Sequence, residues 1–435
     1  MEQKVGRISK ESILRQQRIL YPAETSTQSL GRLQVNVTSQ STNRPIENAL
    51  IRIFTIDNPN TPIEEIRTDS VGRSQTIELP APPIDYSLAP SAVQPYSQYL
   101  IVVQSPNFED VSINGAQILP NVTAVQPIRM LPVESQGTAE TFNIGAHTLF
   151  GDYPPKIAET EVKPVNEQNE IVLSRVVVPE YVVVHDGPPR DTSAQNYYVR
   201  YREYIANVAS SEIYATWPES TIYANILAIM SFTLNRVYTE WYRNQGYSFT
   251  ITTSTAYDHK FIPGKNSFEN IDVLVDNVFA NYLSRPDVKQ PILTQYCDGR
   301  NVQCPNWMTQ WGSKDLGDQG YSPIEILRYF YGESIYINTA EEISGVPSSW
   351  PGTNLTIGSS GDKVRQMQEQ LNRVAQDYPL IPTITVDGVY GSGTANAVRV
   401  FQSIFNLPQS GVVDFATWYK ISQIYVGVSR IAELS

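Results

Sequence analysis

The apolar residues change their spacing part-way along the chain, and no single fold serves both spacings. Between residues 30 and 132 they alternate with polar residues, as at Leu33, Val35 and Val37 and over 50–54 and 99–103. Alternation turns one face of a strand inward. Turn-forming sequence separates these runs: Asn43-Arg44-Pro45, Asp57-Asn58-Pro59-Asn60, Asp69-Ser70-Val71-Gly72 and the prolines of 80–83. The stretch reads as all-β. From about residue 204 the spacing is helical. Ile205, Val208 and Ala209 share a face over 204–214, and Glu212 falls on that face. A carboxylate carried there is partly desolvated, which raises its pKa and suits a general acid. Ile222, Ile226, Leu227, Met230, Leu234, Val237 and Trp241 make a second helix, apolar over much of its surface. It reads as a core helix, opened by a Thr216–Glu219 capping box and stopped near Gly246.

Two stretches break these patterns. Residues 133–176, with "YPPKIAETEVKPVNEQNE", gain Glu, Gln, Asn and Pro and lose periodicity, as a linker or pro-segment would. An exposed chain of that kind suits a protease, so processing is expected within 133–178. Residues 344–354, "SGVPSSWPGTN", form a second linker. The predicted organisation is multidomain: a polar segment at 1–28 with a short helix over 10–20, an all-β domain at 29–132, the 133–176 linker, a compact α+β block at 177–343, the 344–354 linker and a small helical domain at 355–435. A chain of 435 residues has room for it.

Charge and composition exclude some functions. The net charge of −12 argues against nucleic acid and against anionic membrane surfaces. No run of about 18 apolar residues is present, so no membrane span is expected. The polar start, Met1 to Arg7, lacks the apolar core of a Sec signal. Two cysteines and three histidines, without H-E-x-x-H spacing, are too few for a zinc site. No metal and no cofactor are expected. Cys297 and Cys304 could close a small loop through a disulfide. A nucleophilic cysteine of the wall-peptidase kind needs a downstream histidine, and His147, His185 and His259 all precede them. Tyr is abundant at 26 residues, which suits stacking on flat, hydroxylated ligands such as sugars.

The C-terminal stretch carries three helical faces: Val364, Met367, Leu371 and Val374; Ala397, Val398, Phe401, Ile404 and Phe405; Trp418, Ile421 and Tyr425. Thr394 is placed to cap the second helix and Asp414 the third. Taken alone, these make a small helical bundle. Together with Gly361, Asp387-Gly388, Gly391, Phe401-Gln402, Leu407, Gly411 and Thr417-Trp418, the stretch resembles the peptidoglycan-binding domain 1 family over its whole length. The resemblance implies a three-helix binding module, a tether without catalysis of its own. Further upstream, "TNRPIENALIRIF" and "TDSVGRSQTIELP" resemble the carboxypeptidase-regulatory-like, transthyretin-type β-sandwich, which implies a structural or docking module.

The middle block has its own resemblance. "EYIANVASSEIYATWPESTIYANILAIMSFTLNRVY" and "MTQWGSKDLGDQGYSPIEILRYFYG" resemble, in order, the two signatures of the stage II sporulation protein D (SpoIID) family. Members are lytic transglycosylases that cut between N-acetylmuramic acid and N-acetylglucosamine. The resemblance makes Glu212 the acid and Tyr257, Gln310, Trp311 and Ser313 sugar-contacting residues. A hydrolase would need a second carboxylate about 5–10 Å away, for which Asp258 is the candidate. Two departures stand out. Cys304-Pro305-Asn306-Trp307 replaces a Gly-His-Gly, and "STAYDHKF" offers only His259 where zinc-binding members use Cys and His. The whole arrangement is similar to the SleC-like spore cortex-lytic enzymes. That implies a zymogen kept in the cortex and coat region of the spore, acting on peptidoglycan glycan strands after activation by a subtilisin-like, Csp-type serine protease at germination. A non-catalytic wall-binding protein is the competing reading.

Overall fold

In the computed structural model the residues described are 29–133, 140–147, 149, 154–163, 173–345 and 350–429. The helix expected over 10–20 lies outside them, as do parts of the 133–176 and 344–354 stretches.

The alternating region forms two facing sheets. Its strands are β1 Ser29–Ser39, β2 Leu50–Thr55, β3 Glu64–Arg67, β4 Ile77–Ala81, β5 Ser97–Gln104, β6 Val111–Ile118, β7 Thr123–Met130 and β8 Glu140–Asn143. One sheet runs β3-β2-β5-β6-β8. The other runs β4-β1-β7 and then takes a strand, Ser267–Phe268, from the middle of the chain. Leu33, Val35 and Val37 of β1, Ile51 and Ile53 of β2 and Ile101 and Val103 of β5 are fully buried between the sheets. Gly115 makes a bulge in β6 opposite Tyr99 and Leu100. Its φ of 103° and the Ile144 carbonyl, 2.3 Å from where a Cβ would sit, both require glycine.

The α+β block is built around the helix Glu219–Tyr238, whose residues are almost all buried. The helices Tyr201–Glu212, Glu269–Val278, Gln310–Asp318 and Pro323–Tyr331 surround it. Gly317 permits the close approach of one of them: a Cβ there would stand 2.0 Å from Thr221 Oγ1. The core helix ends at Tyr238, not at Gly246, which instead terminates a separate one-turn 3-10 helix, Arg243–Gln245. The expected capping box is absent. Thr216 donates its hydroxyl to Ser87 of the sandwich at 2.7 Å, and Pro218 occupies the N-cap. The Trp217 indole also reaches Ser87, donating to its carbonyl at 2.8 Å. With the borrowed strand, these bonds seat the sandwich on the block.

Three helices complete the chain: Asp362–Ala375, Ser392–Ile404 and Phe415–Ser429. Val364, Met367, Leu371, Val374, Ala397, Val398, Phe401, Trp418 and Ile421 are at most 1% exposed, as their spacing predicts. Asp414 caps the third helix through the Thr417 N–H at 2.9 Å. Thr394 does not cap the second, which starts after Gly391; its hydroxyl accepts from Gln368 instead. Gln402, fully buried, accepts from Gly411 N–H at 2.8 Å and donates to the Val412 carbonyl at 2.9 Å and to Thr417 at 3.1 Å. Replacing it by Leu strands those loop groups without partners. We expect Gln402→Leu to cost about 2–3 kcal/mol, measured by urea unfolding of the full chain. The bundle is docked, not merely tethered. Asp276, buried, receives Arg202 at 2.7 Å from the block and Lys420 at 2.6 Å from the bundle.

Candidate active site

Glu212 ends the Tyr201–Glu212 helix. Tyr204, Ile205, Val208 and Ala209 on that face are fully buried, and they carry Glu212 inward until it is 6% exposed. Its carboxylate is not left bare. The Lys260 backbone N–H donates to Oε1 at 2.6 Å, and the Tyr296 hydroxyl donates to Oε2. Burial raises the pKa of Glu212. The nearby Lys156 ammonium and the bonds from Tyr296 and Lys260 oppose that rise, because they favour the ionised form. Glu212 is thus a carboxyl that can hold a proton, yet has partners ready when it loses one.

The cavity before it is small, about 40 Å³, and is lined by Glu212, Lys156, Lys260, Tyr296, Asp298 and Gln310 among others. It is open to solvent rather than enclosed. Asp298, the second carboxylate there, accepts from the backbone N–H groups of Arg300, Asn301 and Val302 at 3.3, 3.0 and 2.8 Å. It therefore shapes the loop that walls the cavity. A Cys297–Cys304 disulfide closes that loop, with the two Cα atoms 6.1 Å apart.

The other expected site residues separate. Gln310 lines the cavity from the start of its helix. Trp311 does not reach it: at 2% exposure it is wedged against Trp217, ring centres 4.9 Å apart, and beside Tyr214. Ser313, fully buried, accepts from Asn225 at 2.8 Å and donates to the Gln310 carbonyl at 2.7 Å, which ties its helix to the core helix. Tyr257 is half-buried, and its carbonyl accepts from Arg236 at 3.2 Å. Asp258 is committed elsewhere. It is fully buried and accepts from Arg236 Nε at 2.8 Å, the Tyr242 hydroxyl at 2.6 Å, and Thr252 through N–H at 3.0 Å and hydroxyl at 2.7 Å. Fully buried and bonded to four donors, it does not line the cavity that Glu212 faces. His259 is buried and neutral, its pKa pushed well down by burial, and it meets the Tyr204 hydroxyl at 3.0 Å and stacks on Tyr296. Among the described residues no three His, Cys, Asp or Glu side chains gather into a metal site.

Comparison with known proteins informs the C-terminal bundle. Residues 360–421 match the putative peptidoglycan binding domain family. The match supports peptidoglycan binding and a cell-wall association. The zinc D-Ala-D-Ala carboxypeptidase of Streptomyces albus G is 41% identical over 76 residues, which is 18% of this chain and 28% of that protein. The chain thus covers about a quarter of that relative's length. Among solved structures, the Bacillus anthracis TIE protein aligns over 24% of this chain and 17% of its own, at 13% identity and TM-score 0.17. GBS52, the minor pilin of Streptococcus agalactiae, aligns over 24% and 45%, at 15% identity and TM-score 0.18. Scores that low say nothing about what this chain does. Within the peptidoglycan-binding domain the helix faces are spent on the core, Trp418 included. No helix among the described residues is long and apolar enough to cross a membrane.

Lys156, Tyr296, Lys260 and Asp298 were not legible as site residues. Lys156 lies in a stretch without periodicity, and the other three belong to no helix face.

Proposed function

We propose that the protein cleaves peptidoglycan glycan strands as a lytic transglycosylase, and that it is the precursor of a spore cortex-lytic enzyme of the SleC-like kind. The observation that carries this reading is Glu212: a buried carboxyl with a raised pKa, facing a cavity, in a chain that also has a peptidoglycan-binding domain. Glu212 would give its proton to the oxygen bridging N-acetylmuramic acid and N-acetylglucosamine. The bond to the anomeric carbon breaks, and the muramoyl 6-hydroxyl attacks that carbon. Its proton returns to Glu212, and the product is a 1,6-anhydro sugar. One carboxyl serves both halves, as general acid and then as general base.

A precursor form accords with the aperiodic, polar stretch ahead of the block, which suits a protease. A subtilisin-like, Csp-type protease is the proposed activator. A hydrolytic muramidase would need a second free carboxylate. Asp258 is held by four donors and Asp298 by three backbone N–H groups, which favours the one-carboxyl chemistry. The test is digestion of purified spore cortex by the protease-treated chain, followed by mass spectrometry. Products lighter by one water than the hydrolytic ones are expected. Reducing ends would refute the transglycosylase, and undegraded cortex would leave a wall-binding protein.

A further inference from the structure

Residues 154–163 have the composition of a linker, yet the structure builds them into the block. The Ile157 N–H donates to the Ala256 carbonyl at 2.8 Å, and Gln295 clasps the segment at two points, the Ile157 carbonyl and the Glu159 N–H, at 2.7 and 2.9 Å. Leu293 N–H donates to the Glu161 carbonyl at 2.8 Å. Two forked ion pairs add to this. Glu159 takes both terminal nitrogens of Arg236 at 2.9 and 2.7 Å, and Glu161 takes Arg285 at 2.6 and 2.8 Å. Arg236 is itself fully buried and shared with Asp258. Pulling the segment away would strip a carboxylate from a buried guanidinium, so it is no detachable strap. The preceding stretch has a different host: β8 pairs with β6 of the sandwich, and the Tyr96 hydroxyl bonds both the N–H and the carbonyl of His147.

The segment delivers one side chain to the cavity. Lys156 Nζ donates to the Asp258 carbonyl at 2.7 Å and lies 4.8 Å from the centre of the Tyr296 ring, whose hydroxyl holds Glu212. We propose that Lys156 is a positioning residue for Glu212, and that the catalytic unit therefore begins at or before Pro154. This rests on the reading of Glu212 as the acid. The chemistry asks for such a group. Once Glu212 has given up its proton it is a buried anion, and Lys156 on the same cavity supplies the counter-charge. Burial lowers the Lys156 pKa, and the Glu212 and Asp258 carboxylates oppose that fall, so each group of the pair favours the other's charged form. The other charged or titratable groups around Glu212 are Lys260, whose N–H it uses, Tyr296, Asp298, tied to its own loop, and His147, which meets the Ser211 carbonyl at 3.2 Å. His259, neutral, stands behind Tyr296.

The experiment uses the full chain with carboxyl-labelled glutamate, and the Glu212 signal is identified by its loss in Glu212→Gln. Its titration is followed by carbon-13 resonance in wild type, Lys156→Met, Lys156→Gln and Lys156→Arg. Removing the cation takes away an influence that lowers the pKa, so the midpoint should rise by about 1–3 pH units in Met and Gln. Arg should return it toward wild type. A midpoint that stays within a few tenths of wild type in whichever neutral variant folds overturns the proposal. Cortex digestion is run in parallel after protease treatment. The neutral variants should lose rate at least tenfold, with the alkaline limb of the profile displaced upward. If wild type digests nothing, the reading of function has failed, while the titration still decides whether Lys156 governs Glu212.

Discussion

Asp258→Ala should destabilise the chain by about 3–5 kcal/mol, one of the largest losses expected from a single change. The carboxylate is fully buried and neutralises Arg236, itself without exposure, while also satisfying Tyr242 and Thr252. Removing it leaves one guanidinium with Glu159 alone and strands three further donor groups. Urea unfolding followed by tryptophan fluorescence measures the loss. A double change, Asp258→Leu with Arg236→Met, should recover part of it, because the uncompensated charge goes too. The same series separates structure from chemistry. If Asp258 were a second catalytic carboxylate, Asp258→Asn would abolish cleavage even in the fraction that remains folded at low temperature. The hydrogen-bond pattern predicts that the folded fraction keeps its activity.

Glu212→Gln should do the reverse: lower glycan cleavage by about 10²–10⁴-fold and leave the fold intact. The glutamine oxygen can still accept the Lys260 N–H, and the change exposes no new surface. What is lost is the exchangeable proton. The measurement is muropeptide release from cortex at matched protein concentration, with thermal unfolding as the control. A variant that cleaves at the wild-type rate would remove Glu212 from the chemistry.

Much of this fold was legible because burial imposes a period. β1 and the first two C-terminal helices each present one face to a core, and their sequences show it, whereas the Glu212 helix is buried nearly all round. The sandwich-to-block contacts were hidden because they are made by residues far apart in the chain. Thr216, spaced as a cap for its own helix, bonds Ser87, 129 residues away. The segment around Glu159 was hidden for a related reason. It has no regular secondary structure, buries little apolar surface, and is held by ion pairs to Arg236 and Arg285 across 77 and 124 residues. Composition sees only its polarity. Trp311 and Ser313 show a further limit. A motif places a residue along the chain but not around the helix, and both side chains turned to the core while Gln310 faced the cavity.

The strand Ser267–Phe268 completes a sheet whose other members come from the sandwich, and Asn266 beside it exchanges two bonds with the backbone of Gln117, at 2.8 and 3.0 Å. A nicked chain would therefore not fall apart into a free sandwich and a free α+β block. The two pieces should elute together from a sizing column while separating on a denaturing gel. Proteolysis and release are then distinct events, and a clock started at the cut would run ahead of one started at dissociation.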